Sequence, residues 1–88
     1  MRFKLFDPLR IEVDSQNRLL KVHYKPKGSR VYYDICDVKG KILLTGQLQD
    51  SDSNLDLSRL KEEEYVLLVL DGNHIKRKLF RWKLSQIA

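Results

Sequence analysis

Seven short segments rich in β-branched, aromatic and leucine residues recur along the chain, and this rhythm constrains the fold more than any single motif. They are Leu9–Val13, Leu19–Tyr24, Val31–Cys36, Ile42–Leu48, Asn54–Leu57, Tyr65–Leu70 and Ile75–Leu84. Turn-forming clusters separate them: Asp14-Ser15-Gln16-Asn17, Lys25-Pro26-Lys27-Gly28-Ser29, Lys39-Gly40, Asp50-Ser51-Asp52-Ser53 and Asp71-Gly72-Asn73. Short strands spaced about 8–12 residues apart predict an all-β sandwich or small barrel. No segment sustains a 3.6-residue apolar period, which excludes a long helix. Leu57–Glu64, with Ser58 as a cap, has the residues for one helical turn at most.

Alternation assigns the faces. Val31, Tyr33 and Ile35 share one side of their strand, and Tyr65, Leu67 and Val69 share one side of theirs, so Tyr33, Ile35, Tyr65, Leu67 and Val69 are expected to be buried together. Val66, Leu68 and Leu70 are apolar as well, which predicts a central strand covered on both faces. Asp37 with Gly40 three positions on predicts a type I turn closed by a glycine at positive φ. Asp71-Gly72 is expected to supply the positive φ angles of a tight hairpin into the last strand.

At 88 residues the chain is read as one domain, residues 1–88, with a single core and little room for an elaborate cleft. Its 17 Lys and Arg against 12 Asp and Glu leave a net charge of +5, which colours the surface without making a polycation. Cys36 is the one cysteine, so no disulfide framework staples the fold. No run approaches the roughly 18 apolar residues of a membrane span. The first residues, Met1 to Pro8, lack the apolar stretch of about 7–15 residues that marks a secretory signal. Two compartments stay open on this ground: the cytoplasm, or export with a signal already removed.

Candidate chemistry is sparse. Asp50, Asp52, Asn54 and Asp56 alternate as calcium-loop ligands do. The sixth position of such a loop needs glycine and the twelfth a bidentate acid, and here they are Leu55 and Lys61. The stretch therefore reads as a solvated loop running into a strand. Ser58-Arg59-Leu60-Lys61 matches the Ser-x-x-Lys pattern of serine acyl enzymes but lacks the companion motifs and the deep cleft they require. His23 and His74, the two histidines, have no cysteine beside them and do not form a zinc set. Cys36, in a strand, reads as a small apolar residue. No cofactor, no metal and no enzymatic activity are expected.

One charge feature stands out. Lys76 to Lys83 places five basic residues, Lys76, Arg77, Lys78, Arg81 and Lys83, in eight positions interleaved with Phe80 and Trp82. As a protein-docking edge, this strand should turn its aromatics inward and let its charges fringe the edge. As a single-stranded nucleic-acid site, it should expose both aromatics beside the charges for base stacking. Phe80, Trp82 and Leu84 share a parity with Lys76 and Lys78, while Ile75 and Leu79 take the other. A bulge near Leu79-Phe80 is expected to resolve that conflict.

The succession Val31 to Leu43 with its Ile35-Cys36-Asp37-Val38-Lys39-Gly40-Lys41 core, then Leu55-Asp56-Leu57-Ser58-Arg59-Leu60, then Tyr65-Val66-Leu67-Leu68-Val69, then Lys76 to Phe80, resembles the C-terminal sorting domains of the type IX secretion system. It is equally similar to related small secreted immunoglobulin-like proteins of the same bacteria. The resemblance covers roughly residues 18 to 83, and each motif is moderately specific while their order and spacing are more so. It departs from the family at Glu63, where a glycine is usual two residues before the strand Tyr, and in the Asp7-Pro8 opening. The resemblance implies an antiparallel immunoglobulin-like β-sandwich that docks a protein partner, such as a secretion-machinery component, through strand edges and its basic last strand. It also implies an extracytoplasmic location, in the periplasm or at the cell surface. The alternative is a small nucleic-acid-binding β domain using the same strand.

Overall fold

A computed structural model describes residues 8–26 and 30–83. All regular structure in them is β, in seven strands: β1 (Leu9–Asp14), β2 (Leu19–Tyr24), β3 (Val31–Asp37), β4 (Ile42–Leu48), β5 (Asp52–Asp56), β6 (Glu64–Asp71) and β7 (His74–Arg81). They form two antiparallel sheets, β1-β2-β5 and β4-β3-β6-β7. The chain changes sheet between β2 and β3, returns between β4 and β5, and crosses again before β6. This is the exchange of an immunoglobulin-like sandwich. Strand bounds match the sequence reading to within two residues, except for Leu84, which lies outside the described residues.

The core lies between the sheets. Leu9, Leu20, Val22 and Tyr24 from one sheet meet Val31, Ile35, Leu67 and Val69 from the other. Of the five residues expected to be buried together, Ile35, Tyr65, Leu67 and Val69 are buried, while Tyr33 is half-buried against the cluster. Tyr33 pairs with Gly46 on β4, and its ring lies over that glycine: a Cβ there would sit 2.7 Å from Tyr33 Cε2. The strand is bare at Gly46 because the neighbouring aromatic uses the space.

Turns behave as their residues require. Asp37 N donates to Lys41 O at 2.9 Å, Gly40 N donates to Asp37 O at 3.0 Å, and Gly40 has φ 94°. The Asp37 carboxylate also accepts from Lys39 N and Lys41 N, each at 2.9 Å. Between β6 and β7 the loop is Gly72-Asn73, with only Gly72 at positive φ, as in a type II′ hairpin. Asp71 is therefore not a turn residue as expected. It closes β6, is 2% exposed, and accepts a 2.7 Å hydrogen bond from the Tyr24 hydroxyl across the sandwich.

The link from β5 to β6 contains no helical turn. Leu57–Leu60 forms a tight turn (Leu60 N to Leu57 O, 2.9 Å), and the Asp56 carboxylate accepts from Ser58 N at 2.9 Å. Asp56, not Ser58, thus supplies the capping oxygen, because it precedes the turn and reaches its free N–H. Tyr65, at the start of β6, donates its hydroxyl to Lys61 O at 2.6 Å. Trp82 fastens the same corner, donating from Nε1 to Leu60 O and from its backbone N to Glu63 O, each at 3.0 Å. The Tyr65 bond is the tyrosine corner of immunoglobulin-like sandwiches.

Candidate functional site

The basic strand β7 lies at an edge of the four-stranded sheet, paired among the described strands to β6 alone. Its register with β6 is unbroken from Glu64↔Arg81 to Asp71↔His74. The bulge expected near Leu79-Phe80 is absent; the sheet's irregularity lies instead where Ile35 and Cys36 of β3 meet Leu44 and Ile42 of β4, leaving Leu43 unpaired. The parity conflict in β7 is resolved by geometry at the edge. Phe80 and Trp82 turn inward and are 7% and 3% exposed, with Phe80 tilted against Tyr65 at a 5.8 Å ring separation. Lys76 and Lys78 take the same inward parity, opposite Val69 and Leu67, and are half-buried. At a sheet edge a lysine can lay its aliphatic stem along the core rim while its ammonium reaches water, so no bulge is needed.

The five basic residues do not share a face. Lys76 and Lys78 fringe the inner rim of β7, Arg77 and Arg81 stand on the outer side, and Lys83 is exposed just past the strand. Arg81 is tied to Glu64 by a 2.9 Å ion pair. Phe80 and Trp82, the aromatics that would stack bases, are in the core, which leaves the described part of this basic segment without an aromatic platform.

The two outer faces of the sandwich differ in character. Over β1-β2-β5 the outward residues are polar apart from Leu19: Arg10, His23 and Asp52 form one row, Glu12, Lys21 and Asn54 the next. A shallow hollow lies there, and His23 Nδ1 hydrogen-bonds Asp52 within it. Over β4-β3-β6-β7 the outward rows read Cys36, Val66, Leu79; then Asp34, Leu68, Arg77; then Tyr32, Leu70, Ile75. Val66, Leu68 and Leu70 are half-buried, while Ile75 and Leu79 are more than 60% exposed. The expectation that β6 is covered on both faces is therefore corrected. The strand is central, but only its inner face meets the other sheet, and no described strand lies over the outer one. Lateral cover from neighbouring side chains accounts for the half-burial.

Other reactive groups stand apart. Cys36 is buried on the outer side of the four-stranded sheet, and burial, reinforced by Asp34 and Asp37, pushes its thiol above the ordinary value. A thiolate is thereby disfavoured. His23 is on the opposite side of the sandwich, and His74 is exposed at the start of β7. Asp52, Asn54 and Asp56 point outward from β5; Asp56 is held below the usual carboxylate range by its bonds from Ser58. Among the described residues no three His, Cys, Asp or Glu converge as metal ligands would, and no helix is long and apolar enough to cross a membrane.

Sequence reasoning missed the Tyr65–Lys61 and Tyr24–Asp71 bonds and the apolar outer face. The face had a signal: Val66, Leu68 and Leu70 opposite Leu79 and Ile75, readable only with the β6–β7 register in hand. No family model matches the chain, and no curated protein matches it in sequence.

Proposed function

We propose that this chain is a non-enzymatic protein-interaction module of the sorting-domain kind, docking an extended, acidic segment of a partner along the β7 edge. The observation that supports it most is β7 itself: among the described strands an edge strand, with both aromatics in the core and basic residues on either side of it. A segment added there gains affinity from backbone hydrogen bonds, and Lys76, Arg77 and Lys78 select its charge. The same basic residues protect the edge from indiscriminate pairing, since an apolar strand would meet them unfavourably. The dispersal of Cys36, His23 and His74 over separate surfaces supports a role without catalysis. The resemblance to type IX sorting domains names the partner class as secretion machinery and puts the work in the periplasm or at the cell surface.

Fusion of the chain to the C-terminus of a reporter, in a bacterium that uses that pathway, tests the reading. The reporter should reach the medium or the cell surface, and export should drop when Lys76, Arg77 and Lys78 are all changed to Glu with the fold retained by circular dichroism. Retention of the wild-type fusion in the periplasm would remove the sorting role. Salt-sensitive, sub-micromolar binding of single-stranded DNA by the purified chain would favour the nucleic-acid alternative instead.

A further inference from the structure

The outer face of β4-β3-β6-β7 carries an arrangement that the edge-docking role, which shares only Arg77 with it, does not account for. Its middle row places Asp34 one strand to one side of Leu68 and Arg77 one strand to the other. The two charges stand two strands apart, about 9.6 Å between backbones, and among the described residues no ion pair joins them. The rows on either side are apolar across β3, β6 and β7: Cys36, Val66, Leu79 on one flank and Tyr32, Leu70, Ile75 on the other. One charge of each sign thus sits at matching distances from a central leucine.

We propose that this face is the interface of a homodimer, with a two-fold axis running along β6 between two copies. Rotation about such an axis lays β7 of one copy over β3 of the other. Arg77 then meets Asp34 of the second copy, twice per dimer, and Leu68 meets its own counterpart. Leu79 covers Cys36 of the second copy, and Ile75 covers Tyr32 of the second copy. The perpendicular in-plane axis would instead bring Arg77 over Arg77 and Asp34 over Asp34, which like-charge repulsion disfavours. Charge therefore selects both the partner, a second copy, and its orientation. Isologous contact of one self-complementary patch is the usual construction of a two-fold dimer.

Area sets the strength. Three rows across the three strands that overlap about this axis, β3, β6 and β7, make nine positions, each occupying about 33 Å² of sheet, or on the order of 300 Å² per copy. That lies below the roughly 800 Å² per partner of a standard interface, so the dimer is weak and reversible. The Glu64–Arg81 pair closes one end of the patch with a polar rim.

Sedimentation velocity of the whole chain from about 5 µM to about 1 mM, near physiological ionic strength, reads the equilibrium. Wild type should shift from monomer towards dimer across that range. Asp34→Arg alone and Arg77→Asp alone should each weaken self-association at least ten-fold, because each creates two like-charge contacts per dimer. An equimolar mixture of the two variants should recover wild-type association, because in the mixed dimer both contacts again join opposite charges. Leu68→Lys, in the centre, should give monomer throughout, and thermal melts of all three variants verify that they fold. A wild type that stays monomeric at the highest concentration, single variants that associate as wild type does, or a mixture that fails to recover overturns the proposal. Because Lys76 and Lys78 lie on the other rim of β7, loss of export in their variants with self-association intact would separate this interface from edge docking.

Discussion

Two glycines of this chain have opposite reasons for being glycine, and substitution distinguishes them. Gly40 sits at φ 94° with nothing within 4 Å of the place an alanine methyl would occupy, so Gly40→Ala meets a purely conformational penalty of about 1–2 kcal/mol. Gly46 has ordinary backbone geometry, and there an alanine Cβ would press on the Tyr33 ring at 2.7 Å. Gly46→Ala should cost about 1–3 kcal/mol by overpacking, and Tyr33→Leu in the same chain should return part of it by removing the ring. Urea midpoints of the two singles and the double check this; a Gly46→Ala chain as stable as wild type would show that Tyr33 moves aside freely. Asp37-x-x-Gly40 was legible in the sequence because a turn is local chemistry. The need for Gly46 was not, because its reason lies on another strand.

Strands and turns were readable as elements, and their corner fastenings were not. Alternation placed Leu67 inward, and it is fully buried between Ile35 and Lys78 on its neighbouring strands. Leu67→Ala should destabilise by about 2–5 kcal/mol, as for truncation in a closed core. Tyr65→Phe removes only the hydroxyl bond to Lys61 O and should cost about 0.5–1.5 kcal/mol. Chemical denaturation gives both values, and a Tyr65→Phe loss larger than that of Leu67→Ala would mean that the corner, not the core, dominates local stability. The β5–β6 segment misled towards a helical turn because Arg59 to Glu64 are helix formers in isolation and Ser58 could cap them. Its path is set instead by Trp82 and Tyr65, whose bonds to Leu60, Glu63 and Lys61 require an irregular backbone. Register was the other element-scale gap. A bulge near Leu79-Phe80 would have put every apolar side chain of β7 inside, but an edge strand tolerates inward lysines, and pairing without interruption keeps the whole β6–β7 ladder.

The two sheets are joined through a polar tie as well as an apolar core. Tyr24 belongs to β2 in one sheet and Asp71 to the end of β6 in the other, and both are 2% exposed. Burial first, then the hydrogen bond to Asp71 and its charge, push the Tyr24 phenol from 10.0 up to about 12. The sign of the linkage follows from proton counts. Below pH 10 the phenol is protonated in folded and unfolded chains alike, and its contribution to stability is fully present. Between pH 10 and about 12 the unfolded chain loses the proton that the folded chain keeps, so stability falls as pH rises. Tyr65 is shifted in the same direction by its burial and adds to the decline. Tyr24→Phe should therefore do two things at once. At neutral pH it should lower stability by about 1.5–3 kcal/mol, because a charge-assisted bond is lost. Above pH 10 its stability should fall less steeply than that of wild type, since one of the two shifted phenols is gone. Urea denaturation of both chains at neutral pH and near pH 11 provides the comparison. Parallel pH curves for wild type and Tyr24→Phe would show that the phenol ionises alike in both states and would overturn the linkage, while equal stabilities at neutral pH would show that the bond to Asp71 adds nothing to the joining of the two sheets.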